Sequence, residues 1–273
     1  MIHFDQPSYM KINLKKNFDF STSGKKDLEK WTNAATLRVP RAFATSVPLK
    51  DGRLWILGGL GTKTILQSTE ILQENKDGTW KVTRGPDLPK PLFGHCATTL
   101  PNGNILLAGG FDGLDQSHTT AEFQWEGDLD GKWINEHWTD MLDQRYDHSC
   151  FVYEGSAYAL GGWKENIGQT MKPEKYNSSS MKWETISDDW KNGLPDILRS
   201  FSVGTSEGKL ALLGGVSCET GRHIQNGRKC NKHSEIYEFE PLQGWMKSDN
   251  KLMTARSSHV SINIPVTLES SCN

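Results

Sequence analysis

The chain has 273 residues, 36% of them apolar and 23% charged, with a net charge of −2 and a pI near 6.5. That balance excludes a broadly basic nucleic-acid-binding surface, and no apolar run approaches the roughly 20 residues that a membrane helix needs. Ten Trp and 26 Gly, set among short apolar runs, point to an all-β chain with tight turns.

The N-terminus, Met1 to Pro7, lacks the basic start and apolar stretch of a secretory leader, which favours a cytoplasmic chain over an extracellular one. Further on, Ile12-Asn13-Leu14 and Phe18-Asp19-Phe20 read as strand material, and Lys25 to Glu29 leads to a single Trp31. Five cysteines (Cys96, Cys150, Cys218, Cys230 and Cys272) at irregular spacing are not the dense, even framework of a small disulfide scaffold.

From Arg41 the chain repeats itself. Leu54-Trp55-Ile56-Leu57-Gly58-Gly59 returns as Ile105 to Gly109-Gly110, as Tyr158 to Gly161-Gly162 and as Leu210 to Gly214-Gly215, at intervals of 51, 52 and 53 residues. A period near fifty marks repeated supersecondary units. Before each doublet stands a short apolar segment opened by Ala44, His95, His148 or Ser202, with Arg41, Leu92, Arg145 or Arg199 three residues earlier. Asp51-Gly52, Asn102-Gly103, Glu154-Gly155 and Glu207-Gly208 lie between segment and doublet and predict hairpin turns. After each doublet a Glu (Glu70, Glu122, Glu174, Glu235) opens another strand, and a second turn leads to Trp80, Trp133, Trp183 or Trp245.

Each unit is therefore a four-stranded antiparallel sheet, over residues 41–91, 92–144, 145–198 and 199–255. Such a sheet cannot bury both faces alone, and radial stacking makes a β-propeller. The Trp of each outermost strand reads as a wedge between blades. Residues 256–273 begin a fifth copy, with Arg256 three before His259, and residues 1–40 can complete it with Trp31 in the expected place. The expectation is a single five-bladed monomer closed by both termini, which pairs strand edges that would otherwise template aggregation. The alternative is a piece of a six- or seven-bladed propeller.

Arg-x-x-(His/Ser/Ala), then Gly-Gly, then Glu with an apolar or aromatic neighbour, then Trp, in four in-phase copies over residues 41–245, resembles the Kelch repeat. The resemblance implies a Kelch-type propeller whose loops around one mouth bind a protein or peptide. Relatives of that fold also include copper oxidases, sialic-acid epimerases and iron-using plant specifier proteins. The specifier pattern Glu-x-x-x-Asp-x-x-x-His is met here only by Glu136, Asp140 and a histidine, His148, four residues too late.

Three sets of residues are candidates for function. Arg41, Arg145, Arg199 and Arg256 would form a ring at one mouth and recognise the carboxylates of an acidic partner, or else pair with the repeat glutamates. His95, His148 and His259 share one repeat position; repeat identity accounts for them, and no metal or cofactor is expected. The longest insertion, 216–233, carries Arg222, Arg228, Lys229 and Lys232 and brings Cys218 and Cys230 within bridging distance, so a disulfide staple is expected in an oxidising compartment. No nucleophile elbow or phosphate loop is present in the sequence. A binding scaffold is the leading reading. A metal-dependent enzyme or specifier, and a secreted lectin-like or matrix protein, are its rivals.

Overall fold

A computed structural model describes residues 2–6, 9–12, 33–114, 119–127, 130–134, 140–164, 168–169, 172–187, 190, 192, 194, 198–206, 209–218, 230–241, 243–255 and 257. β1 (Ile2–Gln6), β2 (Tyr9–Ile12) and β3 (Asn33–Ala35) make a three-stranded antiparallel sheet. Blade 1 is β4 (Thr45–Pro48), β5 (Leu54–Leu57), β6 (Thr69–Glu74) and β7 (Trp80–Gly85). Blade 2 is β8 (Cys96–Thr99), β9 (Ile105–Ala108), β10 (Thr120–Trp125) and β11 (Gly131–Ile134). Blade 3 is β12 (Ser149–Tyr153) and β13 (Ser156–Leu160), then a two-stranded ribbon, β14 (Trp163–Lys164) with β15 (Gly168–Gln169), then β16 (Glu174–Asn177) and β17 (Lys182–Thr185). Blade 4 is β18 (Ser202–Ser206) and β19 (Lys209–Leu213), the ribbon β20 (Val216–Cys218) with β21 (Cys230–Lys232), and finally β22 (Glu235–Glu240) and β23 (Gly244–Lys251). Each blade is a meander of four antiparallel strands in chain order.

The hairpin turns sit where their glycines require them. Gly52 and Gly103, at φ of +86° and +92°, return hydrogen bonds to Leu49 and Leu100. The second strands of blades 1 and 2 are buried on both faces because each of these blades is covered on both. In β5, Trp55 and Leu57 join Leu92, Ile105, Leu107 and Phe123 between blades 1 and 2, while Leu54 and Ile56 point the other way, to Leu37 and Leu72. Equivalent cores fill the spaces between blades 2 and 3 and between blades 3 and 4. Side chains such as Trp55, Phe123 and Leu160 are wholly buried, each contributing about 1.5–3 kcal/mol through loss of apolar surface from water. The innermost strands β4, β8, β12 and β18 stand side by side in that order, and the sheets are arranged as a propeller.

The blade tryptophans behave as wedges. Trp183 of blade 3 donates its indole N–H to Thr120 of blade 2 at 2.8 Å, and Trp133 and Trp245 donate to Asp87 and Trp190 on the segments leading into their own blades. Trp80 takes the equivalent face of blade 1, the one away from blade 2, beside Leu37. There β3 packs against β7, so the N-terminal sheet begins on the side of blade 1 away from blade 2. Residues 258–273, including His259, and also Arg256 and Trp31, lie outside the described residues; four blades and the N-terminal sheet lie within them. Of Ile12-Asn13-Leu14 only Ile12 is among them, as the last residue of β2, and β1 and β2 come from a stretch the sequence did not mark as paired.

Candidate functional site

The mouth of the propeller is built from the residues that lead into each innermost strand. One position adopts a left-handed backbone in all four blades: Phe43 (φ 52°), Gly94 (φ 63°), Asp147 (φ 58°) and Ser200 (φ 54°). Three of these are not glycine, which costs about 1 kcal/mol or more each. A relay of backbone hydrogen bonds holds them there: Gly94 donates to Phe43 at 3.0 Å, Asp147 to Gly94 at 2.7 Å and Ser200 to Asp147 at 2.8 Å. The relay stitches the four blades together around the axis.

This geometry fixes the repeat alignment independently of sequence. The second glycine of each doublet donates to the first residue of the next repeat, Gly59 to Leu92, Gly110 to Arg145 and Gly162 to Leu198. The residue of blade 4 equivalent to Arg41 and Arg145 is thus Leu198, not Arg199, and the sequence alignment of that blade is shifted by one. The glutamates need the same correction. Two residues before the first glycine, the pairing partner on the third strand is Glu70 in blade 1, Ala121 in blade 2, Glu174 in blade 3 and Tyr237 in blade 4. Glu122 and Glu235 stand one and two residues away from that place.

The result is an alternation. Arg41 and Arg145 are fully buried, and each bridges its blade's glutamate, Glu70 at 2.8 Å and Glu174 at 2.5 Å. Each also donates to the carbonyl of the first doublet glycine, Gly58 or Gly161. The carboxylates accept in turn from the backbone of the incoming chain, Glu70 from Arg38 and Val39 and Glu174 from Leu142 and Asp143. Blades 2 and 4 carry apolar Leu92 and Leu198 instead and lack the glutamate, as burial demands: a charge is kept inside only with its partner. Arg41 and Arg145 are therefore consumed within their blades and do not line a mouth.

Arg199 does. It sits one residue on, 2.8 Å from the Asp147 carboxylate and with its guanidinium 5.2 Å over the Trp163 ring. Burial pushes the Asp147 carboxyl above its ordinary value, against the pull of Arg199. Isolated bridges set Ala42 beside Leu60, Phe93 beside Phe111, Tyr146 beside Trp163 and Arg199 beside Val216. Their rings meet around the mouth: Phe43 with Phe93 at 6.1 Å, Phe93 with Phe111 at 5.5 Å and with Tyr146 at 6.2 Å. Phe43 remains 46% exposed. Sequence reasoning missed this aromatic collar. Its signal was a bulky residue immediately after each doublet (Leu60, Phe111, Trp163, Val216) and another at Phe93 and Tyr146, one repeat apart.

The long insertion is rooted at the same mouth. Val216 bridges Arg199, and β20 pairs with β21 so that Cys218 faces Cys230; a disulfide joins them, with 4.0 Å between Cα atoms. Arg222, Arg228 and Lys229 lie outside the described residues, while Lys232 is exposed on β21.

Below the collar the innermost strands line a half-open cavity of about 140 Å³, bordered by Ser46, His95, Cys96, His148, Cys150 and Ser202 among others. His95 and His148 are clamped between glycines. A Cβ on Gly109 would lie 2.5 Å from the His148 ring, and one on Gly162 would lie 2.8 Å from its Cβ; Gly58 and Gly110 hold His95 in the same way. In blade 4 Phe201 fills that place against Gly161, and in blade 1 Ala44 stands against Gly59. This packing, and not convergence on a shared ligand, explains why the position recurs. Burial alone lowers the His95 pKa to about 3, and burial, with the nearby charge of Arg145 behind it, holds His148 well below the usual histidine value. A second disulfide, between Cys96 of β8 and Cys150 of β12, links blades 2 and 3 in this cavity.

No family model matches the chain. It is 28% identical over 142 residues to spermatocyte protein spe-26 of Caenorhabditis elegans, covering 52% of this chain and 23% of that protein. It is 31% identical over 84 residues to an F-box/kelch-repeat protein of Arabidopsis thaliana, 28% of this chain and 18% of that one. A Rho GTPase-activating protein of Dictyostelium discoideum, gacHH, shares 30% over 125 residues, 44% of this chain and 8% of the relative. The chain thus spans less than a quarter of the length of these curated relatives. Among solved structures it resembles that of YjhT, with a TM-score of 0.65 over 93% of this chain and 80% of that one at 16% identity, a likeness of fold.

Proposed function

We propose that the chain is a protein- or peptide-binding scaffold of the Kelch type, and that the aromatic collar around Arg199 is its binding surface. The collar carries the reading: Phe43, Phe93 and Tyr146, with Arg199 held over the buried Trp163, are residue types enriched at protein interfaces. The rigid relay beneath fixes their positions, so little side-chain or backbone freedom is lost on binding. Arg199, with Lys232 on the adjoining ribbon, favours a partner that brings a carboxylate beside an apolar side chain. The F-box/kelch-repeat relative supports the same class of function. We further infer that the domain is a single propeller spanning 1–273, with the N-terminal sheet and residues 256–273 sharing a fifth blade.

Selection from a displayed random peptide library on the immobilised full chain tests the binding surface. Enriched peptides should lose about 30-fold or more in affinity on Tyr146→Ala or Arg199→Ala, the ~2 kcal/mol that defines a hot spot. Exposed changes far from the mouth, such as Asp77→Ala, should leave affinity unchanged. No enrichment, or peptides held equally by the mouth variants, would remove the collar from the proposal.

A further inference from the structure

Two cysteines and a histidine from neighbouring blades meet inside the axial cavity. Cys96, on β8, is 4% exposed, His148 is 7% exposed, and Cys150 is half-buried on β12. The His148 Nε2 lies 3.0 Å from the Cys96 sulfur, and the three donor atoms all fall within 4.8 Å of one another. This group is distinct from the recurring histidine position as such, because His95, its equivalent one blade earlier, does not belong to it.

We propose that Cys96, Cys150 and His148 form a binding site for a thiophilic divalent cation, Zn²⁺, when the Cys96–Cys150 disulfide is reduced. Two thiolates and one imidazole are a donor set that zinc favours, and three protein ligands leave a fourth position open to water. The cavity offers that position. Ser46 Oγ, Ser202 Oγ and both ring nitrogens of His95 are buried in its wall without a hydrogen-bond partner among the described residues, and unpaired buried polar groups of this kind call for water or an ion.

The two states exchange by a balanced reaction. Two electrons and two protons from a dithiol, which itself closes to a disulfide, open the S–S bond to two thiols. Zn²⁺ then displaces the two thiol protons and takes the neutral imidazole as its third ligand. Both states cross-link blades 2 and 3, so the site ties metal occupancy to the thiol state of the protein without opening the propeller.

The full chain, reduced with a phosphine that does not bind metals and kept free of oxygen, is titrated with Co²⁺ and then Zn²⁺. One equivalent of Co²⁺ should give a thiolate-to-cobalt charge-transfer band that Zn²⁺ abolishes. Cys96→Ser and His148→Gln should each weaken binding by more than about 100-fold, the upper end of what loss of an outer-shell partner costs. The double variant Cys218→Ser/Cys230→Ser should bind normally. On the unmutated protein, Zn²⁺ should shield Cys96 and Cys150 from alkylation, mapped by mass spectrometry, which settles the matter even if a variant fails to fold. Absence of a band, a band that survives Cys96→Ser, or protection of Cys218 and Cys230 in place of the axial pair would overturn the proposal.

Discussion

The guanidinium of Arg145 and the carboxylate of Glu174 meet at 2.5 Å with neither side chain exposed to solvent. The same pair closes blade 1 as Arg41 and Glu70, yet blades 2 and 4 close with Leu92 and Leu198 and no acid. The protein thus contains its own demonstration that the clip can be charged or apolar, provided both members change together.

Removing one member should therefore be costly and removing both much less so. Glu174→Gln or Arg145→Ala is expected to destabilise the fold by about 3–5 kcal/mol, because a buried charge loses its partner. The double variant Arg145→Leu/Glu174→Ala, which copies blade 2, should recover more than half of that loss. Urea unfolding of the three proteins measures the difference. Equal destabilisation by single and double variants would mean that the pair is not the unit described here.

The glycine doublets should be intolerant where ordinary turn glycines are not. Gly109 has a φ of +64° and no room for a methyl group beside His148 and the Arg145 carbonyl. Gly109→Ala should cost about 1–2 kcal/mol for the backbone and about 1–3 kcal/mol more for overpacking. Gly78 also has a positive φ but meets nothing within 4 Å, so Gly78→Ala should cost the backbone contribution alone. Denaturation midpoints of the two variants, compared side by side, check this.

A pH dependence follows from His95. Burial holds it neutral with a pKa near 3, against 6.5 in the unfolded chain, so between those values the unfolded state binds more protons. The stability it contributes is present above pH 6.5 and is lost as pH falls through that window. His95→Phe, which places in blade 2 the side chain that Phe201 supplies in blade 4, should flatten the acid side of the stability profile of the oxidised, metal-free protein by up to a few kcal/mol. A profile as steep as that of the unmutated protein would show that other groups set it.

The proposed closure through a fifth blade predicts that the termini matter to the whole ring. Deleting residues 1–31 should lower the melting temperature and broaden or split the calorimetric transition, since β3, which covers the outer face of blade 1, would lose its pairing with β2. An unchanged single transition would count against closure by the N-terminal strands.

The blades themselves were legible in the sequence because they rest on backbone requirements: the doublets, the Asp-Gly and Asn-Gly turns and the alternating apolar runs. The pairs between strands were less so. In a strand a shift of one residue turns a side chain to the opposite face, so Glu122 resembled Glu70 by letter while Ala121 held its place. Arg199 misled in the same way, lying three residues before Ser202 although Leu198 occupies the clip position. The collar was hidden because the Phe93–Phe111 pair of blade 2 meets Phe43 and Tyr146 only across blades, and letters within one repeat do not specify which neighbour they will touch. The Cys96–Cys150 link did leave a trace: the two lie 54 residues apart, about one repeat, which is the separation of equivalent points on adjoining blades.

The glycine clamp around His148 draws one member, Gly109, from the blade before and the other, Gly162, from its own. His95 and Phe201 are held by the same rule. What must be inherited intact is accordingly the seam, a unit half a repeat out of phase with the pattern of letters. Recombination that exchanged whole repeats at their sequence boundaries would separate each ring from the doublet shaped to receive it. A crossover placed in the hairpin turn between each ring and its own doublet, at Asn102-Gly103 or Glu154-Gly155, would keep the doublet of one blade with the ring of the next, and chimaeras of this chain should be cut there.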